Sequence, residues 1–118
     1  MKRYIRSDVA EDNAFSKFLG DIETDVIDGY DVLGTKFVTD YGYQYEVIIR
    51  DLSDRANEIG YITVDYAKDD DGVLVRAWRG SDEDTTFAAG NSLDDIEYDI
   101  TVSIANMIHE YETGKIDE

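Results

Sequence analysis

Apolar side chains recur at two spacings along this chain, helical near both ends and alternating in between. The clearest helical stripe lies near the C-terminus, where Leu93, Ile96, Ile100, Ile104, Met107, Ile108 and Tyr111 share one side of a helix. Ser92 stands at the N-cap position with Asp95 three residues on, and Gly114 is expected to end the helix. A second stripe near the N-terminus joins Phe15, Phe18, Leu19, Ile22 and Val26. Ser7 or Asp8 is its expected cap, with Glu11 at the capping-box position for Asp8. Gly20 weakens this helix or ends its first part, and Asp28-Gly29 marks the turn that follows.

From Tyr30 onward the period is two. Val32-Leu33 and Phe37-Val38 predict a short irregular strand interrupted by Gly34, and Tyr41-Gly42 a turn. Over Tyr43–Leu52, Tyr43, Tyr45, Val47 and Ile49 share one face, with Gln44, Glu46 and Arg50 on the other. A polar connection over Asp51–Glu58 leads to two further strands, Ile59–Lys68 and Val73–Arg79, joined as a hairpin through Asp69-Asp70-Asp71-Gly72. Whichever loop length that hairpin adopts, Ile62, Val64 and Tyr66 fall on the face of Val73, Val75 and Ala77 and make a candidate core. Tyr61, Thr63 and Asp65 share the opposite face with Leu74, Arg76 and Trp78, a mixture of aromatics and charge that suits an interface. Ser81–Asn91 reads as a loop. The fold class expected is α+β: an antiparallel sheet of three to four strands flanked by an N-terminal and a C-terminal helix, packed on one face, in a single domain over 1–118.

Composition narrows what such a domain does. The chain has no cysteine, which excludes disulfides and thiolate chemistry. The start MKRYIRSDVAED lacks the apolar run of a secretory leader, and no stretch approaches the ~20 apolar residues of a membrane span, so a cytoplasmic protein is expected. Twenty-eight acids against 11 bases leave a net charge of −17. The imbalance is concentrated: residues 61–118 hold 15 acids and 4 bases, residues 1–60 hold 13 and 7. Such a chain repels nucleic acid and anionic lipid and attracts basic proteins.

Candidate chemistry is sparse. With Gly72 at the sixth position of a calcium loop, Ala67 and Trp78 occupy the first and twelfth positions, where carboxylates are required, so Asp69–Asp71 reads as a turn. The only histidine, His109, suits the C-terminal half of a helix, and neither a nucleophile elbow nor a glycine-rich phosphate loop occurs. No enzyme, cofactor or metal is expected. What remains is acid density. Asp65, Asp69, Asp70, Asp71, Asp82, Glu83, Asp84, Asp94, Asp95, Glu97 and Asp99 share one stretch with only Lys68, Arg76 and Arg79 as bases. Duplex DNA carries roughly one charge per 100 Å² if its radius is about 10 Å. Spread evenly over a surface of roughly 6,500 Å², this net charge gives about one per 380 Å², so imitation of DNA requires clustering. These acids, with Trp78 and Tyr61 as apolar anchors, are the expected partner-binding face.

In size, charge, helix-strand-helix order and acidic runs such as DDDG (69–72) and SDED (81–84), the chain resembles the small DNA-mimic inhibitors of bacteriophages and mobile elements, the anti-CRISPR and anti-restriction proteins. The resemblance implies inhibition of a host defence nuclease, such as a CRISPR effector, by blocking its DNA-binding groove. It also implies residence in the host cytoplasm. An immunity protein or antitoxin that neutralises a basic toxin uses the same physics, and a salt-adapted non-catalytic protein is the third reading. Direct binding to nucleic acid or membrane is expected of none of them, and the oligomeric state is left open.

Overall fold

A computed structural model describes residues 9–22 and 28–117. Two helices, α1 (Val9–Asp21) and α2 (Glu97–Asp117), enclose five strands in chain order. These are β1 (Tyr30–Val38), β2 (Gly42–Asp51), β3 (Asn57–Asp69), β4 (Gly72–Arg79) and β5 (Thr86–Gly90). Each strand pairs antiparallel with its chain neighbours, giving one five-stranded sheet. The fold is α+β as expected, with one strand more than the upper count. The expected Ser7 or Asp8 cap and Val26 lie outside the described residues, as does the side chain of Glu11.

Strand alternation sets which face is covered. Tyr43, Tyr45, Val47 and Ile49 of β2, Ile62 and Val64 of β3, and Val75 and Ala77 of β4 point to one side and are buried. The hairpin register pairs Val64 with Ala77 and Asp69 with Gly72, so the loop is the two residues Asp70 and Asp71. Gly72, at φ +128°, takes a backbone conformation that a side chain would strain. Against this face lie Phe15 and Leu19 of α1, Ile22 just past its end, and Ile100, Ile104 and Ile108 of α2, in one core. Val64, Val75, Ile100 and Ile104 meet there as the periodicity predicts, and Phe18 packs at its margin.

The far end of the seam is tied by polar groups. Asp51 is buried, yet its carboxylate accepts hydrogen bonds from the Ser53 amide at 3.0 Å, the Ser53 hydroxyl at 2.6 Å and the Tyr111 hydroxyl at 2.8 Å. Three donors satisfy a carboxylate that burial alone would penalise. Nearby, the Tyr30 hydroxyl donates to Glu112 at 2.8 Å, so the last turns of α2 are fastened to both β1 and β2.

Four local expectations change. β1 runs unbroken through Gly34, where a Cβ would lie 2.9 Å from Leu19 Cδ1. The glycine admits α1 close to the sheet; it does not break the strand. β5 falls where a loop is expected: its only large side chain is Phe87, and pairing with β4 supplies what local propensity lacks. Ser92 makes no side-chain cap. A 3-10 turn over Asp94–Ile96 precedes α2, and the Asp95 carboxylate instead accepts from the Asn91 amide at 3.0 Å. Gly114 does not end α2, which continues to Asp117.

Ile104 has no exposed surface. Replacing it with alanine should lower unfolding free energy by about 2–5 kcal/mol in urea titrations, with the far-UV dichroism of the native state retained.

Candidate acidic partner interface

The hairpin tip shows how the acids are placed. Asp69 accepts from the Asp71 amide at 2.8 Å and so spends its carboxylate on the turn, while Asp70 and Asp71 project from it, exposed. The loop after β4 repeats the device. Asp82 caps a 3-10 turn over Glu83–Thr85 by accepting from the Asp84 amide at 3.0 Å, and Glu83 and Asp84 face solvent. Turn chemistry therefore accounts for Asp69, Asp82 and Asp95, and Asp70, Asp71, Asp84, Asp94 and Asp99 have no cation partner among the described residues.

These acids do not make one continuous face. The two runs stand at opposite ends of β4, an eight-residue strand, hence about 25 Å apart at roughly 3.3 Å per residue. Asp94 and Asp95 return to the hairpin end, because Asn91 Nδ2 donates to the Val73 carbonyl at 2.9 Å. Asp40 joins them there, since the Lys68 amide donates to the neighbouring Tyr41 carbonyl at 2.9 Å. That residue lies outside the acid-rich stretch, and strand pairing alone reveals its place.

Two expected contact residues turn inward. Asp65 is only 7% exposed and accepts from Gln44 Nε2 at 2.9 Å and from Arg76 at 3.4 Å. Trp78 is 3% exposed, with the Arg76 guanidinium 5.2 Å from its ring centre. Both lie on the sheet face away from the helices, where cross-strand packing and an internal ion pair use them up; neither offers a partner surface. Arg76 also reaches Glu83 at 3.9 Å, and Arg79 pairs with Glu110 at 3.0 Å, so both arginines of this stretch are engaged within the fold.

The exposed aromatic beside acids is another residue. Tyr98 is 78% exposed, flanked by Glu97 and Asp99 at the start of α2. It stands off the stripe of Ile96, Ile100 and Ile104, a signal present in the helical spacing. Glu97 is half-buried, and its carboxyl is raised above its ordinary value by burial first and then by the charge of Asp94. Beside this helix a pocket of about 250 Å³ lies between Arg79, Thr85 and Phe87 on one wall and Asp99, Val102, Ser103 and Asn106 on the other. Among the described residues, no three His, Asp or Glu side chains come close enough to hold a metal ion, and no helix is long and apolar enough to cross a membrane.

Comparison with protein-family models, curated proteins and solved structures found no match.

The raised carboxyl has a definite linkage sign. Above the folded value Glu97 is ionised in both states and its burial costs stability; below the unfolded value, near 4.5, it is protonated in both and the cost vanishes. Glu97→Gln should therefore raise Tm at pH 7, with the gain shrinking to nothing as pH falls below 4.5.

Proposed function

We propose that this chain is a non-enzymatic acidic decoy that occupies the basic nucleic-acid-binding surface of another protein. A nuclease of the kind that DNA-mimic inhibitors block is the best-fitting partner. The carrying observation is the pair of exposed acid groups at the two ends of the β3–β4 hairpin, in which Asp70, Asp71 and Asp84 have no cation partner among the described residues and Glu83 alone reaches one, Arg76 at 3.9 Å. A span of about 25 Å corresponds to roughly seven base steps of a duplex at 3.4 Å per step along each strand. A rigid strand holding negative charge at both ends of that span offers a basic groove two contact regions in fixed register, with no ordering of the decoy on binding.

Placement of the acids, not total charge, supports this reading. The accessible surface is 7490 Å², so the net charge of −17 averages about one per 440 Å², far more dilute than a duplex. The exposed acids lie at the two ends of the hairpin and at the start of α2. An immunity protein against a basic toxin would use the same surface on a different target. The salt-adapted reading draws its support from the same separation, because acids at both ends of a fold produce a field in all directions.

Competition separates these readings. The chain should displace duplex DNA from a basic nuclease, less effectively as salt rises, and should show no gel shift with DNA itself. Asp70→Lys with Asp71→Lys, and separately Glu83→Lys with Asp84→Lys, should each slow association about tenfold or more, within the range of electrostatic steering. Asp21→Lys with Asp28→Lys should change it little. Equal losses from all three pairs would leave only a diffuse field, and a fold that melts unless salt is molar would point to salt adaptation.

A further inference from the structure

The pocket beside α2 carries a chemistry that the hairpin acids lack. Ser103 is 7% exposed and lines the pocket, yet no hydrogen bond to its hydroxyl exists among the described residues. Asp99 lies one helical turn before it, so the two side chains are neighbours on the same wall, and Asn106 extends that wall by a further turn. Asp99 has no cation partner among the described residues. Apolar surface comes from Val102, 39% exposed, and the half-buried Phe87, with Thr85 beside them. Arg79, a cation on the opposite wall, is turned to Glu110.

An open carboxylate, a neighbouring unpartnered hydroxyl that opens to the pocket and an apolar strip call for a ligand with several fixed N–H donors on an aliphatic stem. We infer that this pocket takes an arginine side chain of the basic partner, an assignment that rests on the reading of the chain as an acidic decoy. The guanidinium presents five N–H donors in a planar fork, enough to meet Asp99 and Ser103 together, while its methylenes cover Val102 and Phe87. An anion is opposed by Asp99, and the one cation of the lining, Arg79, is already paired with Glu110. An apolar ligand would leave both the carboxylate and the serine hydroxyl without donors. Lysine brings a compact, strongly hydrated charge that fits the pair less well.

The test is an amide-resolved NMR titration of the full isotopically labelled chain with N-acetyl-arginine amide, N-acetyl-lysine amide and N-acetyl-citrulline amide. Octa-arginine reports general polycation binding. Saturable shifts centred on Asp99, Val102 and Ser103, strongest with the arginine probe and absent with citrulline, are expected. Asp99→Asn should weaken the arginine response about tenfold, the scale of one charge-assisted hydrogen bond, with the rest of the spectrum unchanged. Ser103→Ala, tolerated by a helix, should weaken it less. Shifts confined to Asp69–Asp71 and Asp82–Asp84, an equal response to citrulline, or an unaltered response in Asp99→Asn would overturn the pocket while leaving the decoy reading intact. Octa-arginine causing no shift anywhere would overturn both.

Discussion

Seventeen net negative charges push this chain apart, and one apolar layer between the sheet and its two helices holds it together. Every other placement follows from that layer. All five strands contribute buried side chains to one face, α1 covers the β1–β2 side, and the isoleucine stripe of α2 covers the rest. With one face and both inner helix sides committed to burial, acids are left the open face of the sheet, the strand ends, the turns and the outer helix surface. Acids that come close to the core have their hydrogen bonds satisfied by specific partners, as Asp51 does by three donors and Asp65 by Gln44 and Arg76.

Elements with strong periodicity were legible in the sequence because burial itself writes the period. The stripe of α2 and the alternation of β2, β3 and β4 each mark a surface that meets the core, and hairpin parity then decides which side faces it. β5 was not legible, since a five-residue edge strand of Thr86, Phe87, Ala88, Ala89 and Gly90 carries almost no signal of its own. Gly34 misleads for a related reason. A glycine that breaks a strand and one that admits a neighbouring helix look the same until the helix is placed.

The site was legible as a list and not as a surface. Composition shows how many acids exceed the needs of turns, but a strand of eight residues separates runs that adjoin in sequence, and a turn beside the hairpin brings Asp40 near from outside the stretch. Alternation correctly put Asp65, Arg76 and Trp78 on the face away from the helices. It could not show that they would consume one another there. Arg76 lies over the Trp78 ring and pairs with Asp65, turning an apparent interface into internal structure. Exposure is a property of what sits above a side chain, which alternation along one strand does not contain.

Strand order equal to chain order has a kinetic consequence. Each strand meets the one just before it, across connections as short as the two residues Asp70 and Asp71, so little chain must be closed before a pairing is rewarded. The sheet can grow one hairpin at a time. Its long-range commitments are those of the helices, chiefly the contact of Tyr111 with Asp51 and of Tyr30 with Glu112, which join residues 60 and 82 positions apart. For a chain that repels itself, these ties from α2 to the start of β1 and the end of β2 are the contacts that close the longest loops.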